Sequence, residues 1–102
     1  MDTPEFGRFS DPAILILASL AGGEKHGYAM MEDIKITAGV TLGPGTLYGA
    51  LSRLEQSRFI EPLPADERRR PYRLTPQGAT FLRQYLTSLE QFVSLGLKRL
   101  AA

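Results

Sequence analysis

Cysteine is absent from the 102 residues, and histidine occurs once, as His26. Without a thiol, disulfides, thiolate nucleophiles and cysteine-held zinc or iron–sulfur centres are excluded. A single imidazole excludes a histidine-cluster metal site as well. Tryptophan is also missing. Long apolar runs are missing too: the longest is Ala13–Ala21, interrupted by Ser19, whereas a membrane helix needs about 20 residues. Asp2, Glu5 and Asp11 against Arg8 precede that run, the wrong sign for a signal peptide. Excess charge is nearly missing, at +1. These absences lead to the expectation of a cytoplasmic chain with no cofactor, no metal and no membrane partner.

What is present is one domain's worth of globular sequence, 43% hydrophobic and 23% charged. The charge is unevenly spread. Residues 1–34 hold two basic and six acidic groups, a balance of −4, while residues 35–102 hold ten and five, a balance of +5. The second part therefore suits an anionic partner.

Residues 1–9 carry no period and are expected to form a flexible arm. Ser10-Asp11-Pro12 starts a helix, with Ser10 or Asp11 as cap and Pro12 at the first position. The helix stops at Gly22-Gly23. It is apolar nearly all round, which suggests cover from a second subunit. A second helix over about Gly27–Ala38 places Tyr28, Met31, Ile34 and Ala38 on one face. Val40-Thr41-Leu42 can make a minimal strand, and Gly43-Pro44-Gly45 a sharp turn.

A third helix over Pro44–Ser57 has Leu47, Ala50, Leu51 and Leu54 as its buried stripe. Its outer face holds Thr46, Gly49, Ser52, Arg53 and Gln56, with Tyr48 on the flank. Two short strands, Phe59–Leu63 and Pro71–Leu74, bracket a loop containing Asp66, Glu67, Arg68, Arg69 and Arg70. Thr75-Pro76 starts the last helix, Pro76–Leu100. Its stripe of Leu82, Tyr85, Leu86, Leu89, Phe92, Val93, Leu97 and Leu100 overhangs a domain built from the first 75 residues, and a second copy would bury it. Gly96 in that stripe either permits close helix approach or loosens the end.

Catalysis finds little support. The carboxylates are scattered, no Ser–His–Asp spacing stands out, and His26 suits a cap or the surface. Gly43-Pro44-Gly45 lacks the Lys-Ser/Thr of a phosphate-binding loop and reads as a structural turn. Nucleic-acid binding has a firmer basis. Two helices joined by a short connection and followed by a basic hairpin are the parts of a winged helix-turn-helix, whose second helix enters the major groove. The small outer face of the third helix allows close approach. Thr46 can meet a base edge, Tyr48 a phosphate, and Arg53 the backbone or a guanine. Arg68, Arg69 and Arg70 can straddle phosphates or enter a minor groove. A solvated charged loop is the plain alternative. Phe81, Tyr85 and Phe92 can line a ligand cavity between paired helices or simply fill a dimer core.

His26-Gly27-Tyr28, the run Gly45-Thr46-Leu47-Tyr48-Gly49-Ala50-Leu51-Ser52-Arg53-Leu54-Glu55, and Tyr72-Arg73-Leu74-Thr75-Pro76-Gln77-Gly78 stand in order along the chain. In this combination the sequence resembles the PadR-like winged-helix transcriptional regulators over about residues 12–100. The resemblance implies a mainly α fold with a small sheet (α+β). Residues 10–75 would form the winged helix-turn-helix, and residues 76–102 a single C-terminal dimerisation helix. It implies a homodimeric regulator of double-stranded DNA, usually a repressor acting at an inverted repeat. The DNA-contacting residues are then Thr46, Tyr48, Gly49, Arg53, Arg68, Arg69 and Arg70, with His26 and Tyr28 facing a phosphate. The dimer set is Leu15, Leu82, Tyr85, Leu86, Leu89, Phe92, Val93 and Leu97. Some relatives bind flat aromatic effectors between the first and last helices. This chain departs from the family at Ser57-Arg58-Phe59-Ile60, where a glycine turn is usual, and in having no tryptophan for a stacked drug pocket. A protein-interaction module and a small-molecule sensor without DNA readout are the competing functions.

Overall fold

The computed structural model describes residues 11–65 and 68–102, so the expected arm, the Ser10 cap and the acidic pair Asp66 and Glu67 lie outside the described residues. The elements are α1 (Pro12–Ala21), β1 (Lys25–His26), α2 (Gly27–Ala38), α3 (Pro44–Gln56), β2 (Ile60–Pro62), β3 (Pro71–Leu74) and α4 (Pro76–Ala101). The fold is mainly helical, with a three-stranded antiparallel sheet in the order β1-β3-β2.

The helix starts follow from the sequence. The Asp11 carboxylate accepts from the Ala13 amide at 3.0 Å, and Pro12 occupies the first turn. His26 caps α2 through Nδ1, which accepts from the Ala29 amide at 3.3 Å. Thr75 caps α4 by accepting from the Gly78 amide at 3.0 Å. Gly39 ends α2 in the left-handed region at φ 69°, its amide donating to the Lys35 carbonyl. The end of α1 is closed by Lys25, whose ammonium donates to the Ser19 and Gly23 carbonyls at 2.5 and 3.1 Å. The buried Ser19 hydroxyl donates to Asp33 at 2.6 Å and ties α1 to α2.

One core runs through α1, α2, α3, the sheet and the start of α4. Ile16, Leu17, Met30, Ile34, Leu47, Leu51 and Ile60 are its most completely buried large side chains. Three expectations are corrected here. The all-round apolar character of α1 does not need a second subunit, because Ile14, Leu15, Ile16, Leu17 and Leu20 are all buried within one chain. Val40-Thr41-Leu42 is not a strand; it pairs with no strand among the described residues, and Leu42 is instead buried in the core. The buried face of α2 is Gly27, Met30 and Ile34, with Met31 only half-buried and Tyr28 and Ala38 exposed. Position 27 is crowded: a Cβ there would sit 2.8 Å from the Tyr48 hydroxyl and 3.1 Å from Leu47 Cδ2, so those side chains would have to shift.

The turn between α3 and β2 holds a strained residue. Arg58 has φ 63°, the left-handed region that glycine occupies freely. Its conformation is held by the Thr75 hydroxyl, which donates to the Arg58 carbonyl at 2.7 Å. The Arg58 amide donates to the Glu55 carbonyl and the Phe59 amide to the Leu54 carbonyl. For a residue with a Cβ this conformation costs roughly 1–2 kcal/mol, partly offset by the greater freedom glycine has when unfolded. Arg58→Gly is therefore expected to stabilise the fold by about 0.5–1 kcal/mol, seen as a thermal midpoint a few degrees higher. An unchanged or lower midpoint would mean that the Arg58 side chain contributes more than its backbone loses.

Candidate nucleic-acid interface

The α2–loop–α3 unit presents α3 to solvent along one side. Leu47, Ala50, Leu51 and Leu54 face the core, while Thr46, Tyr48, Ser52, Arg53 and Gln56 are exposed. A Cβ at Gly43 or Gly45 would meet nothing within 4 Å, so the start of α3 is open. The Arg53 guanidinium lies back along the helix, 3.8 Å from where a Gly49 Cβ would stand. Nothing acidic occupies the first turn of α3. An anion can therefore approach the free amides there without meeting a like charge.

The wing rises beside this helix. In the β2–β3 pair, Ile60 lies opposite Leu74, Glu61 opposite Arg73 and Pro62 opposite Tyr72. Strand β1 then pairs with β3, setting Lys25 opposite Tyr72 and His26 opposite Pro71. This short strand was not foreseen, since two residues carry no periodicity. Its effect is decisive: it brings the start of α2 to the root of the wing. His26, Tyr28, Tyr48, Arg68, Arg69, Arg70 and Tyr72 line one concavity as a result. Six of these seven were marked as DNA-facing from sequence. Tyr72 was missed, and only the sheet register places it there.

The basic groups of the wing are not equivalent. Arg73 pairs with Glu61 at 2.5 Å across the strands, which offsets its charge; an exposed pair of this kind contributes about 0–1 kcal/mol to stability. Arg70 donates to the Leu63 carbonyl at 3.3 Å and so braces the wing. Arg69 approaches His26 Nε2 at 3.3 Å. Arg68, Arg69 and Arg70 are all exposed. Tyr28 and Tyr48 are 61% and 54% exposed, so both phenols are open to a partner.

The sequence-marked dimer residues divide. Leu15 and Leu82 are buried in the single chain, and Tyr85 and Leu89 are half-buried. Leu86, Phe92, Val93 and Leu97 are exposed, as are Leu95 and Leu100. The core thus claims the first part of the stripe, and the second part extends beyond it. Phe59 and Phe81 stack with ring centres 4.6 Å apart, and Tyr85 lies 6.3 Å from Phe81. Among the described residues no three His, Asp or Glu side chains gather as a metal site. No helix among them is long and apolar enough to cross a membrane.

The model of the PadR-like transcriptional regulator family matches residues 16–84, from within α1 into α4. The chain belongs to the PadR-like family of transcriptional regulators. Solved structures agree with this. A transcriptional regulator from Clostridium thermocellum superposes with a TM-score of 0.75 at 30% identity, over 84% of this chain and 89% of that one. A PadR family regulator from Clostridium difficile gives 0.74 at 25% identity, over 89% and 98%. RosR from H. salinarum gives 0.72 at 26% identity, over 83% and 78%. An uncharacterised 37.1 kDa protein of a Streptomyces fradiae transposon is 44% identical over 82 residues, 80% of this chain. The chain spans only 24% of that relative's length. A PadR-like regulator carries the winged helix as a DNA-binding fold, and the family is one of transcription regulators rather than enzymes.

One side chain beside this interface has a shifted titration. Partial burial and the Glu55 carboxylate push the Tyr72 phenol above its ordinary value; Tyr48 adds slightly, and Arg70 pulls the other way. The folded chain thus holds this proton more tightly than the unfolded chain does. Its contribution to stability is intact below about pH 10, the ordinary phenol value, and is lost as pH rises through the higher folded value. In an alkaline titration followed by phenolate absorbance, Tyr72→Phe should remove signal from the most alkaline part of the curve. Removal of signal from its early part would contradict the assigned environment.

Proposed function

We propose that the chain is a homodimeric, sequence-specific DNA-binding repressor acting at an inverted repeat in the cytoplasm. The observation that carries this reading is the convergence of His26, Tyr28, Tyr48, Arg68, Arg69 and Arg70 beside the open, small-residue face of α3. Cations and hydrogen-bond donors gather there with few acidic groups, which suits a phosphate backbone. The adjacent helix face suits a groove. Residues 10–75 form the DNA-binding part in this reading, and residues 76–102 the dimerisation helix.

The division of labour follows from chemistry. Arg68, Arg69 and Arg70 neutralise phosphates and supply most of the affinity. Thr46 and the neighbouring Gly45 and Gly49 let α3 reach base edges, where discrimination arises. Arg53 reaches the backbone or a guanine edge. The exposed apolar length of α4, where Phe92 is 70%, Leu97 62% and Leu100 84% exposed, supports burial against a second copy. Two-fold symmetry then sets two half-sites about one helical turn apart. The stacked Phe59–Phe81 pair beside Tyr85 supports a seat for a small flat aromatic effector near that junction.

If the dimer makes about eight phosphate contacts, log K should fall against log salt with a slope of roughly −7. Converting Arg69 and Arg70 together to alanine should weaken every DNA sequence alike, whereas Thr46→Ala should change base preference. Fluorescence anisotropy across a salt series, combined with selection from a random DNA pool, measures both. A flat salt dependence, or an arginine pair that changes preference alone, would reject the assignment.

Dimerisation has its own check. Phe92→Glu with Leu97→Glu is expected to halve the mass in sedimentation equilibrium and to remove the concentration dependence of the thermal midpoint, while the helical circular dichroism is kept. A wild-type chain that sediments as a monomer at micromolar concentration would end the dimer reading.

A further inference from the structure

Around His26 there are more donors than acceptors. A neutral imidazole offers a lone pair on one ring nitrogen only and carries a proton on the other. Two donors compete for that lone pair: the Ala29 amide, 3.3 Å from Nδ1, and the Arg69 guanidinium, 3.3 Å from Nε2. If Nδ1 accepts from Ala29 and caps α2, Nε2 carries the proton and faces another donor in Arg69. If Nε2 accepts from Arg69, Nδ1 carries the proton and faces the Ala29 amide. Either way two N–H groups confront each other, one acceptor short. Arg69 makes no hydrogen bond to another acceptor among the described residues. Arg68, Arg70 and the Tyr28 and Tyr48 phenols line the same hollow.

We propose that His26 and Arg69 form a joint seat for one backbone phosphodiester, closing the wing root onto the helix-turn-helix. This rests on the DNA-binding reading and specifies how one phosphate is held. A phosphate oxygen placed between the two groups supplies the missing acceptor. Nε2–H and the guanidinium both donate to it, while Nδ1 keeps the cap on α2. His26 supplies a donor here and Arg69 the charge. The anion therefore couples two elements, α2 and the wing, that the sequence separates by 43 positions.

The roles separate by substitution. Asparagine is among the best helix caps, and its side-chain oxygen can take the place of Nδ1. It has nothing to offer where Nε2 stands. His26→Asn should therefore keep the thermal midpoint and lower affinity about a hundredfold for all DNA sequences, about tenfold at each half-site, with the salt slope unchanged. Arg69→Gln should lower affinity and flatten the slope by about 2 across a dimer. The double variant should lose less than the product of the single losses, because both groups serve one phosphate. Wild-type affinity in His26→Asn, or fully multiplicative losses, overturns the seat.

A second measurement separates the sources of phosphate. Inorganic phosphate is titrated into the DNA-free wild-type chain and into Arg69→Gln while the His26 ring resonances are followed by NMR. A saturable shift in the wild type alone, together with the DNA losses above, supports the proposal. The same shift with DNA affinity insensitive to His26 assigns the hollow to a free phosphate compound and overturns the backbone seat. If the wild type binds no DNA, the DNA-binding reading fails and the backbone seat fails with it. Only the phosphate shift then shows whether the hollow takes an anion. If His26→Asn unfolds, the Arg69 variants alone decide.

Discussion

The arrangement hangs on one joint, where the wing, α3 and the long helix meet. Thr75 accepts from the Gly78 amide, donates its hydroxyl to the Arg58 carbonyl, and gives its own amide to the Phe59 carbonyl. Gly78 lies so close to that same Phe59 carbonyl that a Cβ would fall well inside van der Waals contact. The nearest obstacle is backbone, which cannot move aside as a side-chain end such as the neighbouring Leu74 Cδ1 can. Four residues thus fix how the end of α3, the base of β2 and the first turn of α4 sit against one another. The Arg58 backbone is held in an unfavourable conformation by the same hydroxyl, so some of the joint's stabilisation is spent on strain.

What was legible in the sequence was what is decided locally. Asp11-Pro12 and Thr75-Pro76 carry their cap chemistry within four residues, and the α3 stripe at Leu47, Ala50, Leu51 and Leu54 repeats with helical spacing. Those readings need no knowledge of the rest of the chain. The failures were decided at a distance. Val40-Thr41-Leu42 has β-branched character, yet a strand needs a neighbour, and it pairs with none among the described residues. Lys25-His26 has no strand character, yet it pairs because β3 passes beside it. On α2, the spacing of Tyr28, Met31 and Ile34 is as helical as that of Gly27, Met30 and Ile34. The choice between them is made by packing, with the buried Gly27 lying against Leu47 and the Tyr48 ring.

The same distinction holds at the interface. The arginines were visible as a triplet, but their inequality was not. Cross-strand register pairs Arg73 with Glu61 and leaves Arg69 turned toward His26. Composition counts all four as equal positive charges. In space, Arg73 is compensated by Glu61, while Arg68, Arg69 and Arg70 stay exposed to an anion, Arg70 with one donor turned to the Leu63 carbonyl. A basic patch therefore carries less free charge than its residue count suggests, and the arginines that remain open are the ones a phosphate can engage.

The long helix carries the joint's rigidity outward. Gly78 and Leu82 belong to the core, whereas the turns from Phe92 onward are largely bare. At about 1.5 Å per residue its 26 residues extend some 39 Å, most of the molecule's 56 Å length. A helix anchored so tightly at its start acts as a lever. In the proposed dimer, a change in how two such helices cross would reach the wings through the hydrogen-bonded Thr75–Gly78 joint. An effector wedged near Phe59 and Phe81 would sit at the fulcrum, one residue from the Arg58 turn. The physical requirement for regulation is then modest. A ligand need not reach the DNA-facing surface; it need only favour one crossing of the helices over another, and the half-sites follow.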